Sequence, residues 1–503
     1  MLSPTRQRNS EPNASTKQLR NIFSPLTLCF FAVVMPGVWS FAAGSLTIGI
    51  FGAGPAVEVW GTLAVGLAIS IFCLSLAEYG SAYPSAAGCT HVATELAGPK
   101  YGRLAGYLTG FAHTLGVVFT TPALVIVNLQ LFVTCFQLYD QDWVPERWQL
   151  FLIFQGFNLA IFLALRFGSN LIPAAIFVWT ELINGSGFES NTMGILLGLS
   201  GPIFAFGPPH WLLNMSEDVV NPERNVPIAL LCQQVGNISM LFAFYIAGYY
   251  SVTDFTALFE STFESVVGAL YLQGVRSQGI ALFLILLLGV PGLVGTMTYT
   301  AATIRLVYGF ARDGPFPLKN WFSKVDRVHN NPTNVLHFVI AINFLLGFVY
   351  LGSDVGFHII IGSANAYYAL GFLPMFIPVV LNGRNYFKRG SWFELPWAIG
   401  MACSIWTIIW SLFTLVVFCL PTSGPVTVEN MNYTVIFVAF GIVAPLIGWP
   451  LYGRAHYLED STIDAVEPET TFIGLVTEPK REETDKISTL CEQDQGMECN
   501  VCL

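Results

Sequence analysis

Long apolar runs separated by short polar connectors occupy the chain from Ile22 to about Tyr452. Eleven of them, at about 23–52, 58–82, 104–136, 149–168, 193–213, 227–250, 279–309, 334–352, 355–381, 397–420 and 430–451, are candidate helices. Most reach the roughly 20 apolar residues that carry a helix across about 30 Å of hydrocarbon. The longer ones contain Gly or Pro, and such breaks are tolerated in a membrane where the freed backbone groups face protein or a cavity. The pattern predicts an all-α integral membrane protein with a polar N-terminal tail at 1–21, a polytopic domain at 22–452 and an acidic tail at 453–503.

Composition sharpens this. Of 503 residues, 54% are hydrophobic and only 11% charged, against roughly 25% charged in a soluble domain. With a mean hydropathy of +0.60, the lipid bilayer becomes the expected partner. A soluble enzyme, a disordered scaffold and a nucleic-acid binder are excluded as leading readings. Much of the net charge of −10 lies at the C-terminus, where residues 457–503 hold 12 Asp/Glu against 3 Lys/Arg. The basic N-terminal stub is not followed by a short apolar core, so no cleavable signal is expected and the first run should stay as a span. Six of the ten cysteines sit in apolar runs, where cysteine behaves as a small hydrophobe. Cys499 and Cys502 supply only two ligands, too few to close a zinc site. No metal, cofactor, P-loop or HExxH cluster is expected, and no catalytic residue stands out.

Basic residues set orientation. All of the 22 Lys and Arg except Arg147 and Arg276 can share one side, which would then be cytoplasmic for both tails. Eleven crossings cannot deliver this. The fourth span ends inside at Arg166, yet the fifth candidate must start outside to end inside at Arg224. Between them, near 167–192, the longest apolar stretch is Leu171–Trp179, which as helix rises only about 13 Å. One helix is therefore expected to be missing, with a re-entrant or tilted segment at 171–190 as the alternative.

Four patches carry a resemblance: LAEYGSAYPSAAG (Leu76–Gly88), FVWTELINGSGF (Phe177–Phe188), MSEDVVNPERNVPIAL (Met215–Leu230) and FARDGPFP (Phe310–Pro317). In order and spacing they resemble the amino acid–polyamine–organocation superfamily, most of all its fungal amino-acid and choline permease branch. The resemblance covers about residues 22–452. It implies a 5+5 inverted-repeat transporter fold with two further helices. Against that pattern the fifth helix is expected to be lost near Ala175, leaving 11 of 12 spans. It also implies a plasma-membrane secondary permease, a proton-coupled symporter importing a small amine or amino acid such as choline or 4-aminobutyrate. The alternatives are a non-transporting nutrient sensor or an inactive truncated permease product.

Secondary transporters often bind solutes where two helices are interrupted near the midplane. MPGVWSFAAGS (Met35–Ser45) and SGPIFAFGPPHW (Ser200–Trp211) fit that pattern. The candidate binding residues are Pro36, Gly37, Trp39, Gly44, Phe204, Phe206, Gly207 and His210. Aromatic faces can hold a quaternary ammonium, at about 0.5–2 kcal/mol each, although these rings also suit ordinary packing. His210 is a candidate for substrate or proton contact, and His113 and His358 are the other intramembrane histidines. Glu78, Glu217, Asp218 and Arg305 are candidates for coupling or an inner gate, with Arg305 able to snorkel or to pair with Glu78. Asn184 and Asn432 are the sequons expected outside.

Overall fold

The computed structural model describes residues 54–167 and 190–457 except 86, 142, 208, 260, 315–317, 323, 325–331, 353–355 and 428–430. It also describes Phe188 and scattered positions between 28 and 49. Residues 168–187 and 189 of the expected gap, the C-terminal tail, Pro36, Gly37, Trp39 and Asn184 lie outside the described residues. Those residues form helices without a strand, and nine helical segments among them are long and apolar enough to span a bilayer.

The helices are α1 (Gly54–Ala82), α2 (Cys89–Leu96), α3 (Gly98–Gln137), α4 (Arg147–Phe167), α5 (Asn191–Phe206), then a 3-10 helix (Pro209–Asp218) and α6 (Pro222–Tyr250). After these come α7 (Val266–Val275), α8 (Gln278–Arg312), α9 (Thr333–Gly352), α10 (Gly356–Leu381), α11 (Trp397–Cys419) and α12 (Thr434–Gly448). The apolar runs foretold the spanning members. They did not foretell α2 or α7, which are too short to span. Most of the prolines expected to interrupt helices are carried inside them, including Pro122, Pro202, Pro291 and Pro374.

α3 is the central helix. Its polar side chains are buried but satisfied along the helix itself: the Thr120, Thr121 and Thr134 hydroxyls donate to carbonyls four residues back, as does the Asn128 amide. Local bonds of this kind let a helix bury polar groups at little cost. Small residues then admit neighbours: a Cβ at Gly116 would stand 2.7 Å from the Tyr368 ring of α10, the close approach that small residues permit between membrane helices.

Contacts fix the direction of each helix. α1 ends beside the segment after α10, where Tyr83 donates to the Tyr386 carbonyl at 2.9 Å. Arg103 near the start of α3 donates to the Tyr457 carbonyl, and the Asn334 amide at the start of α9 donates to the Trp321 carbonyl. This end collects Lys100, Arg103, Arg312, Lys319, Arg384, Lys388 and Arg454, and Arg224 lies over the Trp392 ring. It is the basic end. Arg147 and Arg276 stand at the other end, as their place in the sequence pattern requires.

α4 runs antiparallel to α9, with Phe151 against Phe348 and Phe162 against His337, so α4 finishes at the basic end. α5 and its 3-10 continuation run parallel to α1, with Leu199 beside Gly61 and Leu213 beside Gly80, so α5 begins at the far end. The chain therefore has to change ends between Phe167 and Asn191.

Candidate functional site

The fifth span is broken where Gly-Pro-Pro interrupts it. α5 stops at Phe206, Gly207 turns with φ +60° and ψ 171°, and a 3-10 helix resumes at Pro209. That positive φ disfavours any residue with a Cβ, and proline cannot donate to a continued helix. The break expected from Ser200–Trp211 is present, at Gly207 and not at Gly201–Pro202.

Two adjoining cavities meet at this break and share Gly207, Asn365 and Tyr368 as walls. The first is walled by Phe41, Phe204, Trp211, Tyr299 and Tyr368, with Thr120 and Asn365 as further polar walls. The second runs between α1, α10 and α11 past Phe72, Phe372 and Trp410. No Asp, Glu, Lys or Arg is among the residues lining either cavity. The Tyr368 hydroxyl lies 3.0 Å from that of Thr120 and also bonds the Tyr299 hydroxyl, tying α3, α8 and α10 together at the first cavity.

His210 sits directly beyond the Tyr368 wall. It is fully buried and stacks on His113 of α3, with ring centroids 4.3 Å apart and planes 30° from parallel. Phe372 meets the two imidazoles edge-on at 4.7 and 5.4 Å, and Tyr368 lies 5.0 Å from His210. Both His210 nitrogens and Nε2 of His113 are buried without a hydrogen-bond partner among the described residues. Gly371 makes room for this stack, since a Cβ there would stand 2.1 Å from the His113 ring. A proton on each ring would place two positive charges side by side, so the pair can carry at most one comfortably.

The other candidates divide as follows. Phe204 and Gly207 line the cavities, and Gly44 packs against Val127 and Phe204 at the same centre. Phe206 turns away and packs below Gly66 of α1, as core. His358 lies at the far end of α10 beside Phe357, apart from the His113–His210 stack. Glu217 and Asp218 close the 3-10 helix at the basic end, and their side chains lie outside the described residues.

The pairing of Glu78 with Arg305 is corrected. Glu78 is ion-paired with Arg384 at 2.5 Å, both side chains are buried, and its carboxylate also accepts from the Leu395 N–H at 2.9 Å. Arg305 is half-buried on α8. Asn432 is buried, and its amide donates to the Phe418 and Leu420 carbonyls at 2.9 and 2.8 Å.

Sequence reasoning missed Thr120, Tyr299, Asn365 and Tyr368. Polar or aromatic residues inside otherwise apolar runs were the available signal, but nothing in the sequence says which of many such residues share one cavity.

Comparison with known proteins gives a consistent picture. The sequence model of the amino acid permease family matches residues 23–182 and 159–442. The chain is similar to the choline transporter of Saccharomyces cerevisiae, 26% identical over 488 residues that cover 90% of this chain and 86% of that protein. It is also similar to the amino-acid permease BAT1 of Arabidopsis thaliana, 25% identical over 484 residues, 87% of this chain and 92% of that one. The transmembrane transporter swnT of Metarhizium robertsii is 26% identical over 444 residues, 79% of this chain and 84% of that one.

Proposed function

The chain belongs to the amino acid permease family, and on that premise we propose that this multi-pass transporter takes up a small organic amine, choline foremost, through the cavity at the Gly207 break. The supporting observation is the chemistry of the wall: five aromatic rings and no ionised side chain line the first cavity. A quaternary ammonium donates no hydrogen bonds. It is held by ring faces, each contributing about 0.5–2 kcal/mol. A primary amine or amino-acid ammonium would use the Asn365, Thr120 and Tyr hydroxyl oxygens of the same wall.

In this reading the free amides and carbonyls at the break orient the solute, and Tyr368 separates it from the His113–His210 stack. His210 contacts the solute or its water when the wall moves. Drive comes from the proton gradient, the basic end faces the cytoplasm with both tails, and the membrane is the plasma membrane. Glu217, Asp218 and Arg305 belong to the inner gate, while Glu78 fastens α1 to the segment between α10 and α11.

The test is uptake of radiolabelled choline and 4-aminobutyrate in a permease-deficient yeast. The chain would be compared with a form carrying a full helix between Phe167 and Asn191. Phe204→Ala and Tyr368→Ala should each raise the KM for choline about tenfold, the equivalent of one lost ring contact. Unchanged kinetics in both variants would place the solute elsewhere. Uptake by the lengthened form alone would mean that residues 168–190 do not support a working crossing. Surface expression without uptake in either form would favour a sensor.

A further inference from the structure

Glu58 lies on α1, one turn from Gly54 and at the end away from the basic residues, with 0% of its surface exposed. Its carboxyl is packed against the backbone of the preceding segment at Gly49, where a Cβ would overlap it. From α6 the Tyr245 and Tyr249 hydroxyls come near it, and these phenols are the titratable groups that act on it. Among the described residues these two phenols are its polar partners, and no cation is paired with it. Glu78, by contrast, is the buried carboxylate of the same helix that has its cation.

An ionised carboxylate without a cation inside a membrane costs several kcal/mol, and such groups are kept only with a partner or a task. Burial among phenols and backbone is met most simply by binding a proton. The central cavity needs such a site elsewhere: a proton on the histidine stack would set a positive charge beside an ammonium solute, and the two would repel. A carboxyl that is neutral when loaded escapes that conflict. Glu58 stands eleven residues before Ile69 of the second cavity, about 16 Å along the helix, far enough for both cations to be bound at once.

We propose that Glu58 is the proton-binding carboxyl of the transport cycle, loaded from the end of the bundle opposite the basic one. The proposal rests on the permease reading and names its coupling site. When α1 and α6 shift relative to one another, the carboxyl loses its cover, and the proton leaves to water.

Two measurements test it on the full chain in lipid. First, the protein in nanodiscs is treated with dicyclohexylcarbodiimide, which modifies protonated membrane-buried carboxyls, between pH 5.5 and 8, and the adducts are mapped by mass spectrometry. Adduct on Glu58 at neutral pH, with Glu78 spared, supports the proposal. Absence of adduct on Glu58 across that range overturns it. Second, wild type and Glu58→Gln are reconstituted in proteoliposomes at clamped potential with labelled choline, and separately with 4-aminobutyrate. Coupling of one proton per solute gives about tenfold accumulation per unit of pH gradient. Glu58→Gln should lose that accumulation while keeping solute counterflow. Accumulation equal to wild type overturns the coupling role. If neither solute moves in wild type, the reading of the central cavity fails, and the carbodiimide result alone upholds or overturns proton binding at Glu58.

Discussion

Removing one member of the Glu78–Arg384 pair should damage the fold more than removing both. The pair joins the last turns of α1 to the segment after α10, and the same carboxylate accepts from the Leu395 N–H just before α11. Both side chains are nearly inaccessible, at 0% and 4%, and the guanidinium also lies 4.6 Å over the Phe387 ring. With charge centres about 4 Å apart and an effective dielectric near 20, the attraction is about 4 kcal/mol. Deleting one partner also leaves a bare charge, so Arg384→Met is expected to cost about 3–5 kcal/mol. Glu78→Gln with Arg384→Met leaves no bare charge and retains an acceptor for Leu395. It should cost only about 1–2 kcal/mol, giving a coupling energy of several kcal/mol. Reversible unfolding in mixed micelles of dodecyl maltoside and SDS, followed by far-ultraviolet circular dichroism, measures all four corners of the cycle. If Arg384→Met lies within about 1 kcal/mol of wild type, or if the two single losses simply add, the pair is not the fastener described.

Gly207→Ala should destabilise the protein by about 1–2 kcal/mol through its φ of +60°, and should depress uptake more than Gly201→Ala does, measured by thermal unfolding and choline uptake. Asn432 should carry no glycan, because its buried amide is committed to the Phe418 and Leu420 carbonyls. Any mobility shift produced by endoglycosidase should survive in Asn432→Gln and vanish in Asn184→Gln. Burial holds His91 on α2 below the ordinary imidazole range, with Glu95 opposing and Lys388 adding to the effect. The fold thus favours the neutral ring. The stability it contributes is present above about pH 6.5 and is lost as pH falls toward the folded value. Thermal midpoints at pH 7.5 and 5.5 should converge in His91→Phe if this is right.

Periodicity and composition alone determined the membrane class, the nine spanning segments among the described residues and, through the placement of Arg147, Arg276 and the remaining basic residues, the two ends of the bundle. These features follow from transfer into lipid, which acts on each segment separately and so leaves a local trace. The break at Gly207 could be foreseen for a local reason: Gly-Pro-Pro cannot continue a helix. Tertiary structure decided everything that depends on which faces meet. Phe204 lines the cavity while Phe206, two residues on, packs as core. Glu78 meets Arg384 across 306 positions, not Arg305. His210 stacks on His113 because Gly371 leaves room for it. Tyr368, Tyr299 and Thr120 converge from three helices on one cavity. Helix rotation and register set these meetings, and in a bundle apolar on nearly every face the sequence carries no stripe that reports them.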